Sequence, residues 1–358
     1  MDLITSIFFV LGFVLLGVGA DLLVRGSANL AETLGISRLV VGLTIVAFGT
    51  SAPELAVNIQ SAFADKPDLA VGNVVGSNIL NILLVLGVAA LITPLGIHKR
   101  LIRLEVPLMI GASVLLLFLA YDGLLNRWEG LFLFTCIVFY TIFAIKTTRQ
   151  TAEQPKKDNF KPIKNGFIHI LMQIFLVIVG LGLLVQGSNW LVDGAVELAR
   201  HFGISELIIG LTIVSIGTSL PELATVIAAS MRNEQELVVG NVVGSNLFNI
   251  LMVLGLTSLI APSGIAVSHE VIVFDMLIMI AVAFACLPIF FSGYRIERWE
   301  GGLFLAYYVI YMLYLFLKAT AHPLLHTFNS VMLWLIPITV IMLLVIVWKS
   351  RKKVHQIK

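Results

Sequence analysis

Long apolar stretches recur along the chain, separated by short polar connections. Stretches of about 20 apolar residues, the length that crosses a bilayer as a helix, lie near 4–24, 39–63, 69–92, 104–121 and 128–146. A polar, lysine-rich segment, 147–165, interrupts the pattern, which resumes near 167–191, 206–230, 237–260, 271–291, 300–318 and 330–348. The pattern predicts five spans, a linker, five more spans and one extra.

The second set of spans repeats the first in identity as well as in hydropathy. GLTIVAFGTSAPELA at 42–56 returns as GLTIVSIGTSLPELA at 210–224, and LAVGNVVGSNILNIL at 69–83 returns as LVVGNVVGSNLFNIL at 237–251. Both pairs lie 168 residues apart, and GADLLVRG (19–26) answers GSNWLVDG (187–194) at the same offset. Five is an odd number, so the second copy must enter the membrane from the opposite side. An inverted-topology repeat is an architecture of many secondary transporters. The expected organisation is an all-α membrane protein: a first five-helix repeat over 1–146, a linker over 147–165, a second over 166–318, and an extra helix with a basic tail over 319–358.

Composition agrees. Charged residues make up 12% of the chain and hydrophobic residues 59%, against roughly 25% charged in soluble domains. Cys136 and Cys286 sit in separate apolar runs, which excludes a disulfide framework and a CxxC metal site. The N-terminal MDLITSIFF has no basic segment, so it reads as the first span rather than a cleaved leader. Of 23 Lys and Arg residues, all but Lys66, Arg127, Arg200 and Lys318 fall on one side of the expected topology. The excess of positive charge on cytoplasmic loops then puts the N-terminus outside and both the linker and the tail in the cytoplasm of a prokaryotic inner membrane.

Candidate chemistry lies inside the repeated signatures. Pro53 has no amide hydrogen for the carbonyl of Gly49, and its ring crowds that carbonyl, so the second span should break there. Ser51 or Ala52 would cap the half-helix that follows, with Glu54 in its first turn, where the positive helix end favours a carboxylate. Carbonyls near Ala47 to Gly49 would be freed as oxygen ligands. Thr50, Ser51 and Glu54 thus cluster, and Thr218, Ser219 and Glu222 repeat the cluster from the other side. Asn73, Ser77 and Asn81 stripe one helix face at a spacing of four, as do Asn241, Ser245 and Asn249. Gly72 and Gly76, like Gly240 and Gly244, have the spacing that lets membrane helices approach closely. Asn78 and Asn246 fall off the stripes and read as helix–helix glue. Asp21 and Asp122 have no acidic counterpart at the 168 offset and are expected at the interface.

A lone proline kink or a lone polar pair would be unremarkable in a membrane helix. Together, twice and in register, they point to an ion site. Every group offers oxygen, which suits hard cations such as Ca²⁺ and Na⁺, and no Cys or His lies within either signature, which disfavours soft metals. A hydrolase would need a base beside its serine, yet all seven His lie at span ends or in loops, so no enzyme is expected.

The carriers GTSAPE (49–54) with GSNILN (76–81), and GTSLPE (217–222) with GSNLFN (244–249), resemble the cation/Ca²⁺ exchanger superfamily, in particular its prokaryotic sodium/calcium exchanger branch. The likeness covers about 1–318. It implies a ten-helix inverted repeat with four short core helices around a midplane ion site. It further implies Glu54 and Glu222 as the central acidic ligands, with Thr50, Ser51, Ser77, Asn81, Thr218, Ser219, Ser245 and Asn249 around them and the backbone carbonyls of Ala47 and Ser215 contributing. In the family's transport scheme the long first and sixth helices move across the core. Two departures stand out: many relatives carry Asp where Asn249 stands, and the eleventh span lies outside the ten-helix unit. The expected activity is exchange of Ca²⁺ for Na⁺ by alternating access, with a proton-coupled cation antiporter of the same fold as the nearest alternative. A passive channel is less expected, because broken helices in inverted repeats suit alternating access. Ca²⁺ and Na⁺ are the expected substrates and the lipid bilayer the surroundings; no cofactor and no nucleic acid are implied.

Overall fold

The computed structural model describes residues 3–64, 66–152, 166–202, 215–291 and 293–356. The opening residues of the second GLTIV signature, 210–214, and linker residues 153–165 lie outside the described residues. In the first half, α1 (Leu3–Leu34) is followed by α2 (Arg38–Thr50), α3 (Ala52–Phe63), α4 (Pro67–Ile92), α5 (Leu101–Asp122) and α6 (Arg127–Ala152). The second half comprises α7 (Gly166–His201), α8 (Ser215–Thr218), α9 (Leu220–Met231), α10 (Gln235–Ile260), α11 (Val271–Phe291) and α12 (Arg298–Ala319). A last helix, α13 (Leu324–Gln356), follows. Among the described residues nine helices are long and apolar enough to cross a membrane, or ten with α2 and α3 taken as one bent span.

The expected first and sixth spans, 4–24 and 167–191, prove too short. Apolarity marks only the part of a helix that meets hydrocarbon, whereas the helix itself ends where its terminal carbonyls find partners. In α1 that happens at Gly35, whose φ of +64° turns the chain, while Ile36 N–H bonds Ala31 O at 2.9 Å, a glycine stop. Asp21, expected near a span end, therefore lies well inside α1. It is paired there with Arg25 at 2.9 Å and with Arg232.

α1 and α7 pack antiparallel along glycines spaced seven apart. A Cβ on Gly12 would fall 2.9 Å from Gly187 O, and one on Gly19 would fall 2.8 Å from Gly180 O; Gly26 lies against Gln173. A seven-residue spacing keeps one seam facing its partner along the helix, and only glycine admits such an approach. Because α1 and α7 hold equivalent places 168 residues apart and run in opposite directions, the two halves are inverted copies.

Two short ribbons join the halves. β1 (Leu95–Gly96) pairs antiparallel with β4 (Arg295–Ile296), and β2 (Leu124–Leu125) with β3 (Ile265–Ala266). α10 and most of α4 are buried at the centre. α2 lies close on α10, where a Cβ on Gly240 would fall 2.6 Å from Leu39 O and one on Gly244 would fall 2.8 Å from Leu43 O, as the GxxxG spacing predicts. α13 sits at the periphery, held by Tyr307 OH donating to Thr339 Oγ1 at 2.6 Å, with most of its described side chains exposed.

Candidate functional site

The proline break forms where the signature predicts, but it is narrow. α2 and α3 meet at an angle of 40°, and Ser51 alone separates them, at φ −81° and ψ 4°. Ser51 does not cap α3 through its side chain. A capping serine needs extended backbone, as Ser37 has at ψ 145°, where its hydroxyl accepts from Val40 N–H at 3.3 Å. The expectation of freed carbonyls also needs correction. Ala47 O accepts from Ser51 N–H at 3.0 Å, with Thr50 Oγ1 3.4 Å away, because α2 stays helical through Thr50. In the second half Ser215 opens α8, and Ser219 N–H bonds Ile216 O at 3.1 Å.

Around the two breaks the halves interlock. Ser219 donates to Glu54 Oε1 at 3.1 Å, its oxygen lies 3.1 Å from Ser77 Oγ, and Ser77 lies 3.5 Å from Glu54 Oε1. Thr50 Oγ1 donates to Asn241 Oδ1 at 3.2 Å, and Thr218 Oγ1 donates to Asn73 Oδ1 at 3.2 Å. Those two bonds are images of one another under the 168 offset. Thr50 also lies 3.3 Å from Ser245 Oγ. Glu54 and Glu222 are fully buried and close enough to interact electrostatically. Thr50 and Ser245 flank the Glu222 carboxylate. Asn81 and Asn249 are buried, and at each of them α4 and α10 widen into a π-helical turn, over Asn81–Leu86 and Asn249–Leu254. Such widened turns occur often at functional sites.

The decisive feature is a set of buried oxygens without hydrogen-bond partners among the described residues. At the two breaks and the π-helical turns they are Glu54 Oε2, both carboxylate oxygens of Glu222, Asn81 Oδ1, Asn249 Oδ1 and Ser51 Oγ, with the hydroxyls of Ser27, Thr225, Ser230 and Ser258 unpartnered as well. Leaving one such group unpaired costs about 1–3 kcal/mol, and more for a charged one. A cation that takes 6–8 oxygens would satisfy those at the breaks and turns, so the donor set fits a hard ion as cargo.

Three site neighbours escaped the sequence reading of ligands. Asn73 and Asn241 were placed on the stripes, but their work is to hold the threonines. Asn58 accepts from Asn73 Nδ2 at 2.7 Å and donates to Ala70 O at 3.0 Å; with Val226 at its image position, the duplication gave no signal for it. Glu105 is a buried acid outside the signatures. Its oxygens are both engaged, by Arg100 Nε at 2.8 Å and Tyr140 OH at 2.6 Å, which ties α5 to α6. A scan for ionisable residues within apolar runs would have found it.

Comparison with known proteins identifies the family. The sequence pattern of the family described as "Sodium/calcium exchanger protein" matches residues 4–146 and 172–317. The chain is 39% identical to "Inner membrane protein YrbG" of Escherichia coli, over 80% of this chain and 89% of that protein. It is 30% identical to "Sodium/calcium exchanger MaX1" of Methanosarcina acetivorans, over 88% and 99%. Among solved structures, the sodium-calcium exchanger NCX_Mj soaked with Na⁺ and Sr²⁺ superposes with a TM-score of 0.76 at 31% identity, covering 87% of this chain and 99% of that one. With both halves matched, and the paired signatures folded around unpartnered oxygens, the chain belongs to the sodium/calcium exchanger protein family.

Proposed function

We propose that this protein is a secondary active antiporter that exchanges Ca²⁺ for Na⁺ across a prokaryotic inner membrane by alternating access. The observation that carries this reading is the pair of buried carboxylates, Glu54 and Glu222, with three of their four oxygens unpartnered among the described residues. Two charges of −1 are neutralised by one Ca²⁺, or largely by a small set of Na⁺ ions. An unloaded site would hold uncompensated charge in a low-dielectric interior, which costs several kcal/mol. The protein therefore rearranges readily only when loaded, and obligatory exchange follows. The ligands in this reading are Glu54, Glu222, Thr50, Ser51, Ser77, Asn81, Thr218, Ser219, Ser245 and Asn249; the carbonyls of Ala47 and Ser215 are left out, since Ala47 O is engaged within its helix.

The N-terminus faces outward and the tail inward. That orientation rests on the lysine and arginine distribution; contacts between segments support the grouping into two sides, since each joins positions that the distribution puts together. On the inner side Arg38 pairs with Glu234 at 2.8 Å, Gly96 N–H bonds Gln235 at 2.8 Å, and β1 pairs with β4. On the outer side Lys318 pairs with Glu270, and β2 with β3.

The test is ⁴⁵Ca²⁺ uptake into proteoliposomes under an imposed Na⁺ gradient and then an imposed pH gradient. Uptake driven by Na⁺ alone is expected; uptake driven only by the pH gradient would replace Na⁺ with protons, and none under either would remove the antiport reading.

A further inference from the structure

Four asparagines between α4 and α10 form a closed, reciprocal set. Asn78 Nδ2 lies 3.4 Å from the backbone carbonyl of Asn246, and Asn246 Nδ2 lies 3.4 Å from that of Asn78. A backbone carbonyl only accepts. Each of these side chains must therefore turn its NH₂ toward the carbonyl and its oxygen away from it. The two oxygens so oriented are then used: Asn81 Nδ2 donates to Asn246 Oδ1 at 3.2 Å, and Asn249 Nδ2 donates to Asn78 Oδ1 at 3.2 Å. Engaging those two NH₂ groups leaves the opposite ends of Asn81 and Asn249 to point elsewhere. Those ends, Asn81 Oδ1 and Asn249 Oδ1, are among the buried oxygens without partners.

We propose that Asn78 and Asn246 are positioning residues that fix the polarity of the two site amides, so that Asn81 and Asn249 present oxygen, and not NH₂, to the transported cation. An amide's two ends are nearly equal in size, so packing alone does not choose between them. A cation does choose, because one end is an acceptor and the other carries hydrogens. The backbone carbonyls of residues 78 and 246 supply the choice, which passes through one side chain to the next and across from each helix to the other. The inference rests on the reading above that Asn81 and Asn249 face the cargo. It gives Asn78 and Asn246 a specific task beyond helix–helix glue.

The test uses the fact that a carboxylate has oxygen at both ends and needs no orienting partner. In Na⁺-driven ⁴⁵Ca²⁺ flux, Asn78→Leu should raise the KM for Ca²⁺ by at least about tenfold, the scale of one lost ligand contact, with the maximal rate changed far less. Asn249→Asp serves as a second background, and adding Asn78→Leu to it should leave its own KM within about twofold. An equal penalty in both backgrounds would mean that Asn78 acts by packing, and an unchanged KM in the parent background would also overturn the proposal. Monodispersity in detergent checks folding, and if Asn78→Leu does not fold, the image pair Asn246→Leu and Asn81→Asp asks the same question. Failure of both leucine variants to fold would assign the asparagines to packing. Should either carboxylate variant carry no flux, ⁴⁵Ca²⁺ binding to the purified protein is read in the same way. Absence of Na⁺-driven flux and of Ca²⁺ binding in the parent would defeat the exchange reading and this inference with it, whereas a failed comparison in an active parent defeats this one alone.

Discussion

Glu54 and Glu105 are both fully buried acids of the first half, and their partners separate them. Both oxygens of Glu105 are taken, by Arg100 and Tyr140, so its charge is compensated inside the protein. One oxygen of Glu54 and both of Glu222 are not. Removing charge should therefore act differently at the two kinds of place. Glu54→Gln or Glu222→Gln should each abolish Na⁺-driven ⁴⁵Ca²⁺ flux while the protein remains folded, because a divalent ion would be left with a single carboxylate, a deficit worth several kcal/mol. Glu105→Gln should do the reverse, lowering thermal stability in detergent by about 2 kcal/mol while flux per folded molecule persists. Substantial flux in either site variant would remove the two-glutamate site. Glu129→Gln is a useful control, since Glu129 accepts from Asn126 N–H at 2.8 Å at the start of α6, a task that glutamine also performs. The acids of the site were legible in the sequence because each arrives with a proline and hydroxyls, twice, at a constant offset. The tasks of Asn73, Asn78, Asn241 and Asn246 were not, because an asparagine on a membrane helix serves equally as ligand and as glue until its donors and acceptors can be traced.

At the scale of helices, the hydropathy pattern located the crossings but not the helix ends. α1 outlasts its apolar stretch because Gly35 and the Ile36–Ala31 bond stop it, and the polar residues from Asp21 onward do not. The break at Pro53 was legible from the missing amide hydrogen. Its width was not, since whether Ser51 caps depends on a ψ angle that composition leaves open. Likewise the GxxxG spacing announced the approach of α10 to α2, while the seam between α1 and α7 passed unnoticed because its glycines are seven apart. That seam has a direct consequence. In Gly19→Val, the added Cβ would meet Gly180 O at 2.8 Å and Leu184 N at 2.9 Å, backbone atoms that yield only if the helices part. Overpacking of this kind costs about 1–3 kcal/mol, so a lower melting temperature in detergent and lower flux are expected. At Gly17, where a Cβ meets no described atom within 4 Å, the same substitution should be silent. Equal effects at the two positions would discount the seam.

Over the whole molecule, the charge distribution and the fold describe the same two sides. Lys66 and Lys99 are both exposed and belong to opposite faces. In a background with Cys136 and Cys286 replaced, Lys66→Cys should react with an impermeant thiol reagent on intact cells, and Lys99→Cys only after the membrane is opened. Reaction of both from outside would contradict the inverted arrangement. The side rich in lysine and arginine is tied around residues 232–235, which reach α1 through Asp21, α2 through Arg38 and β1 through Gly96. Between α1 and α9 lies a groove of about 620 Å³ whose lining includes Leu220, next to Ser219, and Arg232. The glycine seam reaches further than packing. Counted within each half, position 12 of one touches position 19 of the other, and position 19 touches position 12. That reciprocity defines an isologous contact, the kind made by two identical subunits about a two-fold axis. The threonine–asparagine and asparagine–asparagine bonds obey it as well. A single half therefore encodes both faces of its own dimer interface, and two copies of one short gene, inserted in opposite orientations, would present complementary surfaces without the linker.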